Sequence, residues 1–297
     1  DHFLACRGAS ADSAAMESVS REDGRTISEI LLTASCGPPV RLRLLLPDEA
    51  ETQKVGLLLL IGGHRTGRNA VDLIGDPAGI AYAAIDYPYR GSHSLSGASQ
   101  IIRAIPAIQD ALLDTPPALM LAMDWISRQP WFDAGHAELA GISLGVPLAA
   151  VAGALDDRFT RVWLIHGATN NYDWVMHAAE NRVRNRVLRD LSVRASLLLA
   201  YGNSFRTADW LREIAPRPVV IIAARDDERM PQGATAAYRT ASESEHVSLM
   251  WTQGKHIEPG REYELQQLVD LVVGEMQATS DNFGQGADLL PMPGRLP

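Results

Sequence analysis

Short, nearly unbroken apolar runs alternate with amphipathic stretches from about residue 55 to residue 276, and this alternation constrains the fold more than any other feature of the chain. The runs are Val55–Ile61, Ile80–Asp86, Ala137–Ile142, Thr160–His166, Pro218–Ala224 and His246–Trp251. Each has the length of a strand, and the continuous apolar run Val55–Ile61, ending in Gly62-Gly63, reads as a central strand buried on both faces. Between and after them lie Arg68–Ile74, Ile101–Leu113, Pro116–Gln129, Ser143–Leu155, Gln232–Thr240 and Pro259–Met276, which read as helices. Strands alternating with helices imply a parallel sheet covered on both faces. Ile27–Ala34 and Val40–Leu46, separated by Gly37-Pro38-Pro39, add an antiparallel pair ahead of it. The expectation is an α/β fold with a mostly parallel eight-stranded sheet. The helical stretch from about 172 to 213 is too long for a plain crossover and reads as a small cap after the sixth strand.

The 297 residues divide on this reading into an N-terminal arm (1–25), a main domain (26–278, with the cap insertion at about 170–213) and a C-terminal tail (279–297) rich in Gly, Pro and Asp. Hydrophobic residues make up 46% of the chain, enough for a sizeable core. The net charge of −9, with no basic stripe, argues against nucleic acid as a partner. No apolar stretch reaches the ~18–20 residues that a transmembrane helix needs. The two cysteines, Cys6 and Cys36, form no C-x-x-C pair and suit either one disulfide or two idle thiols. The chain starts at Asp1, which reads as a processed or trimmed terminus, and Ala9-Ser10-Ala11 has the small-x-small look of a signal cleavage site. Both an exported and a cytoplasmic protein fit these features, and the oligomeric state stays open.

Gly141-Ile142-Ser143-Leu144-Gly145 carries the chemistry. A serine hydroxyl is barely nucleophilic until it is held against a base. A sharp strand-to-helix turn lifts Ser143 beyond the sheet edge, and that crowded turn needs small residues two before and two after it. The same turn aims the Leu144 N–H, at a helix start, where an oxyanion would form. A Gly/Ser turn of purely structural use is the competing reading. It loses weight because a buried strand precedes the motif and the small, apolar helix Val146–Leu155 follows.

Ala122-Met123-Asp124-Trp125-Ile126-Ser127-Arg128-Gln129-Pro130 followed by this motif resembles the run through the nucleophile in α/β-hydrolases of the dienelactone-hydrolase and prolyl-oligopeptidase-like branch. Ala84-Ile85-Asp86-Tyr87-Pro88-Tyr89-Arg90-Gly91 is similar to that family's D-x-R-G strand exit. The resemblance spans roughly residues 40 to 275. It implies the α/β-hydrolase fold and a Ser–Asp–His triad in that chain order. Val146 departs from the second Gly of many members, and Ser143 stands where dienelactone hydrolases proper carry Cys.

Within this resemblance, the family acid lies four residues before a Pro, and Pro231 then selects Asp227, with Asp226 as the alternative. A charged surface turn over Arg225–Arg229 is the plain reading of the same residues. His256, in the loop between the last strand and a long helix, occupies the place of the family base. The exit of the third strand, Gly62-Gly63-His64, implies a second oxyanion donor at Gly63 or His64. His64, Tyr89, His93, His166 and Trp174 fall at or above C-terminal strand ends, where open parallel sheets bind ligands. Tyr89, His166, Trp174 and, close by, Met176 are the expected pocket, though any of them could simply pack its loop. No His, Asp and Glu cluster has metal-ligand spacing and no dinucleotide fingerprint occurs, so no metal and no cofactor are expected.

The expected activity is a serine carboxylesterase that hydrolyses short-chain, small-molecule esters through an acyl-enzyme. The short chain follows from a cap too small to enclose a long one. A peptidase or thioesterase with the same triad is the alternative, as is, in a different class, an inactive binding protein on the hydrolase fold.

Overall fold

The computed structural model describes residues 2–4, 11–63, 66–75, 79–91, 98–231, 244–258 and 260–284. Nine strands among these residues form one sheet: β1 (Ser13–Glu22), β2 (Arg25–Thr33), β3 (Val40–Pro47), β4 (Val55–Ile61), β5 (Ile80–Ile85), β6 (Phe132–Ile142), β7 (Arg161–Ile165), β8 (Val219–Ala224) and β9 (Val247–Thr252). Their order is β1-β2-β3-β5-β4-β6-β7-β8-β9. β1, β2 and β3 are antiparallel, β3 pairs antiparallel with β5, and every later pairing is parallel.

The strand count exceeds the expected eight because Ser13–Glu22, read as part of an arm, pairs along its length with β2. Every residue of β1 is exposed, including Met16 and Val19. Backbone hydrogen bonds hold this edge strand while its side chains bury nothing, so it leaves no hydrophobic pattern to read.

The unbroken apolar runs are explained by burial on both faces. Along β4, Leu57, Leu59 and Ile61 enter one core while Leu58 and Leu60 enter the other. The first core is covered by α1 (Ala98–Ile126), α2 (Gly145–Leu155) and α5 (Thr207–Ile214). The second is covered by a 3-10 helix at Gly67–Leu73 and by α6 (Glu262–Gly284), through Ala70, Val71, Leu268 and Val272.

The two helices expected at Ile101–Leu113 and Pro116–Gln129 are a single helix, α1, with Pro106, Pro116 and Pro117 inside it. A mid-helix proline strands a carbonyl one turn back. The Pro116-Pro117 pair takes away the N–H groups that would reach the Leu112 and Leu113 carbonyls, and next to it the buried Thr115 hydroxyl donates to the neighbouring Ala111 carbonyl at 2.6 Å. Ala118, Leu119, Ala122 and Met123, all buried, hold the continuation against the sheet. The last helix also runs beyond Met276, so residues 279–284, read as tail, belong to α6. The expected helix at Gln232–Thr240, Cys6, and tail residues 285–297 lie outside the described residues.

The stretch between β7 and β8 is helical as expected, with α3 (Asn171–Ala178), α4 (Arg186–Leu199) and α5. Asparagine side chains start two of these helices. Asn170 accepts the Tyr172 N–H at 3.0 Å, and Asn185 accepts those of Val187 and Leu188 at 3.0 and 3.1 Å. Leu198 and Leu199 of α4 are exposed. No helix among the described residues is long and apolar enough to cross a membrane.

Candidate active site

Ser143 stands at the turn from β6 into α2 with φ of 55°, in the left-handed region that non-glycine residues rarely enter. The surrounding packing imposes this geometry. A Cβ on Gly141 would lie 2.5 Å from Ala149 Cβ, and one on Gly145 only 2.2 Å from the Ile61 carbonyl oxygen. Both flanking glycines are therefore required for α2 to close onto the sheet. The Ser143 N–H donates to the Ile165 carbonyl at 2.9 Å, which fastens the turn to β7. Val146, the departure from the family pattern, is fully buried and faces Gly167, where a Cβ would fall 2.3 Å from Val146 Cβ. The extra side chain at 146 is accommodated by the missing one at 167.

His256 and Asp227 arrive on neighbouring loops, after β9 and β8. Ser143 Oγ lies 3.0 Å from His256 Nε2, and His256 Nδ1 lies 2.8 Å from Asp227 Oδ2. His256 is 1% exposed, so these bonds form away from bulk water. The other Asp227 oxygen, Oδ1, accepts the backbone N–H groups of Arg229 and Met230 at 2.9 and 3.1 Å. The carboxylate is thus locked with one oxygen free for the imidazole. Asp226 is exposed, and its backbone N–H donates to the Gly254 carbonyl. Asp227 is therefore the carboxylate that meets His256.

Arg261, which the sequence motifs did not single out, ties the two loops together. Its guanidinium donates to the His256 carbonyl at 2.9 Å and to Glu228 at 2.7 Å. Desolvation is the largest single influence and would raise the Glu228 carboxyl, but the hydrogen bond and charge of Arg261 and the backbone hydrogen bonds together outweigh it and hold the group down at about 2.

His166 lies behind His256 and does not line the cavity beside Ser143. It is 2% exposed and has φ of 49° at the end of β7. The Ile257 N–H donates to its Nδ1 at 3.0 Å, so the proton sits on Nε2, facing Thr252 Oγ1 at 3.2 Å. Burial pushes its pKa down to about 4; Asp227 opposes that shift and His256 adds to it. His166 thus stays neutral and pins the segment that carries His256. His166, Asp227 and His256 bring ligand-type atoms within 4.8 Å of one another. Each is already engaged in the bonds above, a pattern that suits proton handling better than metal binding.

Gly62 and Gly63, in the segment expected to supply an oxyanion donor, leave β4 beside Ser143. The Tyr87 hydroxyl donates to the Gly62 carbonyl at 2.6 Å, and the Thr66 hydroxyl donates to the Gly63 carbonyl at 2.9 Å. With both carbonyls tied back, the path of this segment is fixed. Asp86 secures the start of the 3-10 helix at Gly67–Leu73 by accepting the Arg68 N–H and guanidinium, both at 3.0 Å. Desolvation pushes the Tyr87 phenol far above its ordinary value, so it remains a donor. His64 and His93 lie outside the described residues.

A cavity of about 210 Å³ opens beside Ser143, Gly62 and Gly63. Its lining comes from the strands and from α6, and includes Leu60, Ile142, Leu268 and Val272. Tyr89, His166, Trp174 and Met176, the expected pocket residues, do not line it. Trp174 instead packs on Ala168 and Met230, and Tyr89 is half-buried with its ring against Gly91.

The Abhydrolase family model matches residues 117–278, more than half of the chain and a span that takes in Ser143, Asp227 and His256. The chain belongs to this family. Its membership of the Abhydrolase family agrees with the structural likenesses. Acetyl xylan esterase 1 from Thermoanaerobacterium sp. JW/SL YS485 superposes with a TM-score of 0.62 at 16% identity, over 93% of this chain and 91% of that one. The glucuronoyl esterase from Solibacter usitatus gives 0.56 at 17%, over 89% and 86%. The S-formylglutathione hydrolase from Agrobacterium tumefaciens gives 0.63 at 12%, over 89% and 98%. At such identities the likeness speaks for the shared α/β-hydrolase fold. No curated protein matches this Abhydrolase family chain in sequence.

Proposed function

We propose that the protein is a serine carboxylesterase working through an acyl-enzyme, with Ser143, His256 and Asp227 as its triad. The observation that carries the reading is the single imidazole bonded on one side to Ser143 and on the other to Asp227. In this reading His256 Nε2 takes the hydroxyl proton as Ser143 Oγ attacks the ester carbonyl carbon. The carbonyl oxygen gathers negative charge and is met by the N–H groups of Leu144 and of Gly63 or His64. The tetrahedral adduct collapses, the carbon–oxygen bond to the alcohol breaks, and His256 returns the proton to the leaving alkoxide. Water then repeats the sequence on the acyl-enzyme, releasing the carboxylic acid and restoring Ser143. Asp227 holds the Nδ1–H tautomer throughout and stabilises the transient imidazolium.

Support comes from the family and from the esterases and ester-type hydrolases among similar structures. The intact relay weighs against an inactive binding protein, which would have no use for a strained serine held against a base. The short-chain expectation rested on the cap, and the cap residues it named do not line the described cavity. A fluorophosphonate probe tests the proposal. It should label the native protein at Ser143 and leave Ser143→Ala unlabelled; a native protein that resists the probe while remaining folded contradicts the reading.

A further inference from the structure

We propose that the cavity beside Ser143 is an acyl slot for a straight acyl chain of about eight to ten carbons, laid along one face of the sheet. This rests on the esterase reading and extends it to a substrate class: esters of medium-chain carboxylic acids.

The position of the cavity is the first argument. Its mouth is Ser143, Gly62 and Gly63. From there it follows β4 past Leu60 to Leu58, and β6 past Ile142 to Ala140. The facing wall is α6, with Leu265 in its first turns and Val272 and Val273 about two turns further along. Ala70, Leu73 and Ile74 close the side. The cavity therefore begins at the nucleophile and leads away from the cap.

Its depth can be measured along two elements independently. Gly62 to Leu58 is four residues of extended chain, about 13 Å at ~3.3 Å per residue. Leu265 to Val272 is seven residues of helix, about 10 Å at 1.5 Å per residue. A fully extended chain advances up to about 3.6 Å for every three backbone bonds, so depths of about 10 to 13 Å span about eight to eleven bonds, and the shorter depth along α6 limits a zigzag acyl chain to about eight to ten carbons.

The chemistry of the walls agrees. Every described side chain below the mouth is aliphatic, and the polar groups gather at the entrance. There Thr66 is bound to the Gly63 carbonyl, and Arg229 is ion-paired with Glu258. A carboxylate or a sugar at the slot floor would find no partner among the described residues, whereas a methylene chain would. Ala70 and Ala140 keep the slot open, since both are buried positions where a leucine would fill it. Well-packed interiors leave few voids of this size, and an unfilled one weakens the core around it. A void that opens onto the nucleophile has an occupant in the acyl part of the substrate.

The test is the chain-length profile of kcat/KM for monomeric 4-nitrophenyl esters from acetate to laurate. The expected profile rises up to about fourfold per added methylene, the factor equivalent to ~0.8 kcal/mol of transfer. It peaks at about eight to ten carbons and falls at laurate, when the chain outgrows the slot. Val272→Trp, which fills the far end, should lower the ratio of decanoate to acetate kcat/KM at least about tenfold by the same per-methylene factor. Ala140→Leu narrows the slot from the sheet side and should lower the same ratio should Val272→Trp not fold. A wild-type profile that peaks at acetate or butyrate overturns the proposal. Calorimetric binding of decanoic acid to Ser143→Ala separates the slot from the esterase reading. Binding that exceeds that of butyric acid at least tenfold supports the slot even without turnover; equal or absent binding of the two acids overturns it whatever the activity.

Discussion

Asp227→Asn should reduce kcat/KM by about 10⁴, and the bonds around this residue explain why so small a change does so much. Asp227 Oδ1 accepts two backbone N–H groups, from Arg229 and Met230, at 2.9 and 3.1 Å. An asparagine must keep its carbonyl oxygen there, because turning the amide over would set its NH₂ against two donors. That leaves the NH₂ facing His256 Nδ1, 2.8 Å from where Oδ2 stood. The imidazole then has to accept at Nδ1 and carry its proton on Nε2, the atom that faces Ser143 Oγ. A protonated Nε2 cannot take the serine proton. A 10⁴-fold loss is about 5.4 kcal/mol of transition-state stabilisation, well above the loss of one neutral hydrogen bond. Asp226→Asn should change the rate by less than about threefold, since Asp226 is exposed and engages the loop through its backbone. The assay is steady-state hydrolysis of a 4-nitrophenyl ester at several pH values, with circular dichroism to confirm folding. Near-native turnover by Asp227→Asn, or a larger loss at Asp226, would refute the reasoning from the Oδ1 clamp.

Two predictions concern stability. His166 is held at about 4 against an ordinary 6.5, so as pH falls from about 6.5 to about 4 the unfolded chain takes up a proton that the native chain refuses. The stability of the wild type relative to His166→Asn should therefore shrink with acid over that window, by up to ~3 kcal/mol in urea melts; asparagine keeps an acceptor for the Ile257 N–H and tolerates the positive φ. A difference independent of pH would show that His166 is not buried neutral. Gly167→Ala should destabilise the fold by about 1–3 kcal/mol, because the new methyl meets Val146 Cβ at 2.3 Å. Adding Val146→Gly should recover part of the Tm lost, and strictly additive losses would rule out the pairing.

How far the sequence reached depended on whether a feature leaves a mark in residue type. The central strands β4 to β8 were legible because burial on both faces demands runs such as Val55–Ile61, and β2 and β3 were legible as β-rich stretches on either side of Gly37-Pro38-Pro39. β1 was not, since Ser13–Glu22 is held by backbone bonds that any sequence can make. Pro116-Pro117 suggested a helix start, and burial of the residues around it kept α1 continuous. At the site, the constraint on Gly141 and Gly145 is steric and appears directly as G-x-S-x-G. The partners of the oxyanion segment were missed by a narrow margin. Tyr89 was singled out where Tyr87, two residues earlier, bonds the Gly62 carbonyl. The cavity was not legible at all. Leu268 and Val272 repeat at ordinary helical spacing, and side-chain type does not reveal where two apolar walls fail to meet. Attention to the C-terminal strand ends pointed instead to Trp174 and His166, whose surfaces are used in packing and in holding the base.

The central claim is that Ser143 forms a covalent acyl intermediate under the control of His256. Rapid acid quench of the protein during turnover of 4-nitrophenyl butyrate, with intact-mass analysis and peptide mapping of the quenched protein, observes that intermediate directly. The account predicts a mass increase of one butyryl group, located on Ser143 and absent from Ser143→Ala. Turnover of the ester with no covalent adduct at any stage of the reaction, or an adduct on a residue other than Ser143, would contradict it.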